Sequence, residues 1–191
     1  MVSVINISDY KKVIGLRPFV ALPQEEIDRL FASIEIEEMD YNQATADTEK
    51  MILSLFIVVH FNYSWLTYEY ACSSKLNVKS MGFSDFALPQ NHSGLFLDES
   101  LSIEADRILK GNLLIKSGYT LRLAGLIYDI SIPHGKPYLG IVYVSRLHQN
   151  NSVCIKKNEL QMDYFTTGEL CQFKDRFESR SKIVIEHVVA L

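Results

Sequence analysis

Apolar positions along the chain recur with two periods, and the periods divide it into strands and helices. Met51 to His60 (MILSLFIVVH) is an apolar run rich in branched residues, which predicts a buried strand. Asn62 breaks the run, and Trp65 to Ala71 returns, so the two segments predict a hairpin. Met81 to Gly94 opens as a strand and continues as a loop. Tyr119 to Ser131 and Tyr138 to Leu147 read as long strands around a turn at Ile132 to Pro137 (IPHGKP). Val153 to Lys156 and Asp163 to Thr166 are shorter strands. Helical spacing appears after Pro23, where Ile27, Leu30, Phe31 and Ile34 follow Glu25 and Glu26 in a first turn that favours acids. It returns over Ser100 to Asn112, where Leu101, Ala105, Ile108, Leu109 and Leu113 form a stripe with Asp98 or Ser100 as N-cap. Thr167 predicts the cap of a short helix, Gly168 to Phe173, and Phe177 to Val189 predicts a final helix with Phe177, Ile183, Val184 and Val188 inward.

Before Met51 the pattern is weaker. Val4, Ile5 and Ile7 suggest a short strand, and Pro18 and Pro23 punctuate the segment. Glu35 to Lys50 is acidic and aperiodic and reads as a connector. The expected organisation is an N-terminal extension over 1–50 (short strand and helix, then the acidic connector) and one domain over 51–191, whose 48% hydrophobic content suffices for a core.

Charge and cysteines narrow the function classes. A net charge of -4 and a pI near 5.7 argue against general nucleic-acid binding, which needs clustered Lys and Arg. Cys72, Cys154 and Cys171 lie far apart and match neither a zinc spacing nor a disulfide framework, so reduced thiols in a cytoplasmic protein are expected. The N-terminus has no basic region ahead of an apolar core, and Met51 to His60 is too short to span a bilayer, so no membrane association is expected.

The stretch Asn91 to Leu114 (NHSGLFLDESLSIEADRILKGNLL) resembles the signature box of the Nudix (MutT-like) family, G-x5-E-x7-R-E-U-x-E-E-x-G-U with U a bulky aliphatic residue. With Arg107 on the box arginine, Glu99 falls on the first glutamate and Leu109 on the aliphatic position, while Ser93 takes the opening glycine with Gly94 beside it. Ile108, Gly111 and Asn112 stand where the family has three glutamates, and Leu114 replaces the closing glycine. Those glutamates have a physical purpose. Residues spaced three and four apart share a helix face, and converging carboxylates hold the hard divalent cation that neutralises a diphosphate and activates water. The box here is degenerate on that face. Glu104 shares it and reads either as part of a displaced metal site with Glu99 or, as most lone helical carboxylates do, as a solvated surface residue.

The resemblance extends along the chain from Met51 to Leu191. Before the box, Leu88, Pro89 and Gln90 replace glycines that would let a backbone approach phosphate, and His92 remains as a ligand contact or a locally bonded turn residue. Gly125-Leu126-Ile127-Tyr128-Asp129 and Leu139-Gly140-Ile141-Val142-Tyr143 resemble a Nudix-like branch known as predicted phosphoesterases, as do Ser181, Lys182, Val184, Glu186 and His187. It implies an α/β fold, a Nudix-type α/β/α sandwich with a mixed curved sheet. With the carboxylates missing, it implies a domain that does not hydrolyse and that binds a nucleotide-like ligand or a protein partner. Ligand contacts then fall on His92, Arg107, Asp129, His134 and Lys136, and no cofactor is expected. The alternative is a diphosphate hydrolase using Mg2+ or Mn2+ on relocated carboxylates, Glu99 and Glu104 with Asp98 or Asp129. A third reading is a structural or assembly subunit with a closed cleft, and a homo-oligomer stays open. Tyr63, Trp65, Tyr68 and Tyr70 read as base-stacking aromatics or as core packing.

Overall fold

The computed structural model describes residues 1–70, 78–87, 97–130, 138–149, 153–157 and 159–188, with the side chains of Gln24, Tyr70 and residues 97–100 outside the description. The chain runs β1 (Val2–Asn6), α1 (Ile7–Val13), β2 (Phe19–Val20), α2 (Gln24–Ser33), β3 (Ile36–Met39), α3 (Tyr41–Ala46) and β4 (Lys50–Phe61). It continues through β5 (Ser64–Tyr70), β6 (Gly82–Phe86), α4 (Leu97–Asn112), β7 (Leu113–Ile115), β8 (Tyr119–Asp129) and β9 (Tyr138–Leu147). Next come β10 (Val153–Ile155), β11 (Leu160–Thr166), α5 (Thr167–Gln172), a 3-10 turn at Lys174–Arg176 and α6 (Ser179–His187).

The architecture is mixed α/β, a large mixed sheet with helices on both faces. β4 is its axis. Every residue from Met51 to Val59 is buried, because the strand is covered on both faces. Met51, Leu53, Leu55, Ile57 and Val59 point into the larger core with α2 and α4. Phe56 and Val58 point the other way, into a second core with α6. β9 runs parallel to β4, from Ile52 opposite Tyr138 to His60 opposite Arg146. β8 is antiparallel to β9 with a bulge between Leu123 and Gly125. Gly125 has φ 155°, and a Cβ there would stand 2.4 Å from the Val20 carbonyl oxygen on β2, so this crossing requires glycine. β5 forms the expected hairpin with β4 through Asn62, whose φ of 52° suits asparagine. β6 and β1 both pair antiparallel with β4.

The N-terminal residues are built into this sheet. β1 pairs with β4 and β3, and β2 pairs with β8. Ile27, Leu30, Phe31 and Ile34 of α2 are buried in the larger core, as their spacing predicts. The acidic segment read as a connector carries β3 and α3. β3 is an edge strand with no more than partly buried side chains, so it has no apolar alternation, and α3 starts on the Asp40 carboxylate, which accepts from Asn42 N and Gln43 N. Ile7 begins α1 rather than extending a strand.

Other boundaries shift for physical reasons. Leu113, read as part of the box-helix stripe, leaves α4 and starts β7, which pairs with β10. Gly111 stays helical. Thr166 caps α5 in place of Thr167, because only Thr166 closes a reciprocal box with Glu169. Phe177 precedes α6, which starts on the Glu178 carboxylate, and Ile185 joins Val184 in its buried face.

Candidate functional site

Helix α4 packs Leu101, Ala105, Ile108 and Leu109 into the larger core. Glu104 lies on that buried side. Only 2% of it is exposed, which corrects its reading as a solvated glutamate. Its Oε2 accepts from Arg107 Nε at 2.7 Å, and Arg107 Nη2 lies 3.4 Å from Asp85 Oδ2 on β6. The bond to Glu104 holds the half-exposed Arg107 guanidinium above its ordinary range. Asp85 was not singled out from the sequence. It lies on the α4 side of β6, two residues beyond the buried Phe83, and that alternation becomes informative only once the strand pairing is known.

The turn of α4 that the resemblance aligns with three glutamates carries other groups. Ile108 is buried, Gly111 faces open space, and Asn112 Nδ2 donates to the Ile108 carbonyl at 2.8 Å. Asp106 is bound to Lys110 at 2.7 Å and to the Tyr119 hydroxyl. Among the described residues no three His, Cys, Asp or Glu side chains converge as a metal site. The described donors on this helix therefore do not fit a magnesium ion, which needs several hard oxygens in near-octahedral array. Glu99 falls in the first turn of α4, with its side chain outside the description.

Asp129 sits at the end of β8 and is 3% exposed. Its Oδ2 accepts from Ser179 Oγ at 2.8 Å and lies 3.8 Å from Arg180 Nε, both at the start of α6. Arg180 stacks over the Tyr138 ring at 5.2 Å. Burial lowers the Arg180 guanidinium from its ordinary range, while Glu178, Asp129 and Tyr138 oppose the shift. Burial first, then a bond to Tyr41, pushes the Tyr138 phenol up to about 12. Phe86 bridges this group, its ring 5.2 Å from Tyr41 and 6.3 Å from Tyr138. Asp129 thus engages the α6 side of the sheet and Glu104 the α4 side, so the two do not form one ligand set. The relocated-ligand alternative loses Asp129 on that ground. His92, His134 and Lys136 lie outside the described residues, as does Cys72.

Of the four aromatics, Trp65 and Tyr68 follow the packing reading, and the Tyr70 side chain lies outside the description. Trp65 is buried, and its Nε1 donates to Thr167 Oγ1 at 3.3 Å. Tyr68 stacks on Phe83 at 4.8 Å and donates to the Gly82 carbonyl. Tyr63, 85% exposed at the hairpin tip, stands apart from this packing.

No family model and no curated protein matches the chain. Solved structures do. Tm1382, named provisionally as a Nudix hydrolase, superposes with a TM-score of 0.79 at 16% identity, over 99% of this chain and 98% of its own. The chain has the Nudix fold. The MutT NUDIX hydrolase of Burkholderia pseudomallei matches with a TM-score of 0.53 at 11% identity, over 71% of this chain and 96% of that one. The NUDIX domain of Shewanella oneidensis NrtR, complexed with ADP ribose, matches at 0.52 and 10%, over 78% and 97%. At such identities the Nudix likeness is one of fold, and activity has to be argued from the site.

Proposed function

We propose that this chain is a Nudix-fold domain that binds a nucleotide-like ligand and does not cleave a diphosphate. The observation that supports it is the face of α4. Ile108 is in the core, Gly111 offers no side chain, Asn112 is bonded to its own helix, and Glu104 is engaged by Arg107. A phosphate-bearing ligand meets Arg107 from the solvent side, with His92, His134 and Lys136 as the other expected contacts, while Asp129 holds the start of α6 in place. The ADP ribose bound by the NrtR domain supports the ligand class.

The test is incubation of the purified protein with Mg2+ or Mn2+ and a panel of dinucleoside polyphosphates and nucleoside diphosphate compounds, ADP ribose included. The expected result is no turnover, together with a rise in melting temperature for some of the panel. Turnover that disappears in Glu99→Gln or Glu104→Gln overturns the proposal. No thermal shift with any compound, and a stable oligomer by light scattering, favours the closed cleft.

A further inference from the structure

A concavity opens on the α6 face of the sheet, at the end of the strands opposite Asp129. Its volume is about 610 Å³. On β9 and β8 the side chains on this face are Val144 and Arg146, and Thr120 and Arg122, and on β4 it is His60. The register places Arg146 opposite Thr120 and Arg122 opposite Val144. The two arginines are therefore diagonal neighbours on one face, with backbones about 7–8 Å apart. The parallel pairing of β4 with β9 sets His60 beside Arg146. Trp65 forms the back wall, its ring 4.5 Å from that of His60, and Tyr63 stands at the rim.

The charge here runs against that of the whole chain, which carries -4. No Asp or Glu is among the described residues lining the concavity. Arg122 and Arg146 are exposed and form no ion pair with a described residue, whereas Arg107 and Arg180 are both paired. Glu169, close by on α5, is turned to Thr166. Two guanidinium groups without an ion-pair partner among the described residues concentrate positive potential in a cleft, and their planar donors match the oxygens of a phosphate. The half-buried His60 adds a neutral donor. Burial, with Arg146 adding to it, holds its imidazole below the ordinary range, so the ring is neutral at pH 7 and hydrogen-bonds an oxygen without adding charge.

We infer that this cleft is a phosphate site, in which Arg122 and Arg146 clamp one phosphate group, free or esterified to a small molecule, with His60 as its third contact. An ester body then lies over Val144 toward Tyr63, within the remaining volume. The site is separate from the α4 face and stands or falls without the function proposed above.

Isothermal titration of the full chain with inorganic phosphate and with adenosine 5′-monophosphate tests it, in wild type, Arg122→Gln, Arg146→Gln and the double variant. Both side chains are exposed, so the variants retain the wild-type melting temperature. Each single substitution weakens binding about tenfold, as loss of a charge-assisted bond requires, and the double variant binds neither probe. Tighter binding of the monophosphate than of phosphate identifies an ester as the ligand, and equal binding identifies free phosphate. The His60 ring resonances, followed by NMR, titrate at higher pH once phosphate is bound. Absence of millimolar binding by either probe, or binding unchanged in the double variant, overturns the inference. Hydrolysis assays on Glu99→Gln leave this result untouched, so the two proposals fail separately.

Discussion

His60 shows at residue scale how position sets chemistry. In sequence it ends an apolar run and carries no motif. In the fold it lies between Trp65 and Arg146, and its pKa is lowered by burial first and by Arg146 second. A folded pKa below the unfolded value means that the unfolded chain binds the proton more readily. This stability is present above the unfolded pKa, about 6.5, and is lost as pH falls through that value toward the folded one. Urea unfolding of wild type against His60→Asn between pH 7 and pH 5 is expected to show a steeper loss in wild type, and equal slopes would contradict the assignment. Glu104 teaches the complementary lesson. Its spacing put it on the metal face, and general exposure statistics put it in water, but the structure buries it against Arg107. Which side of α4 meets the sheet was readable from Leu101, Ala105, Ile108 and Leu109. That a carboxylate is tolerated there depends on an arginine one turn on, anchored in turn to β6.

At the scale of elements, the strands most legible in the sequence are those covered on both sides. β4 from Met51 to Val59 and β9 from Tyr138 to Tyr143 read as continuous apolar runs because neither stretch has a solvent face to demand polar residues, and Arg146 appears where β9 reaches the surface. Edge elements carry no such mark, so the sequence of β3 and α3 reads as a connector. Caps are similarly local. Thr166 and Glu169 satisfy each other's backbone donors at the start of α5, which anchors the buried Leu170 under α6. Thr166→Ala is expected to cost about 1 kcal/mol by loss of the cap. Chemical denaturation measures it, and a change within error would show that Leu170 alone holds the helix. The final helix follows the same logic. Its Glu178 carboxylate caps Ser181 and Arg180, and Ser181 Oγ accepts from Met81 N at 2.9 Å, tying α6 to the approach to β6.

For the whole molecule, the first fifty residues decide how many folding units there are. β1 adds Val4 and Ile5 to the cores, α2 adds Ile27, Leu30 and Phe31, and β2 is fitted against Gly125 of β8. A chain beginning at Lys50 would expose those contacts. It is expected to lose the cooperative thermal transition of the full chain, and circular dichroism with light scattering reads the outcome. A truncated chain that melts cooperatively as a monomer would establish 51–191 as a unit on its own. Tm1382 matches nearly the whole of this chain, whereas the two shorter neighbours match 71% and 78% of it, so the elements beyond the common domain recur in at least one other Nudix fold.

Local pattern alone determined the core strands, the apolar stripe of α4 and the amphipathic C-terminal helix, because burial leaves its period in the order of residues. Tertiary structure alone decided that Glu104 faces inward, that Asp129 serves α6 on the opposite face, and that Arg122, Arg146 and His60 share one cleft. Those groupings are made by the parallel pairing of β4 with β9 and the bulge in β8. Such long-range pairing joins residues far apart in the chain, and no window of sequence contains it.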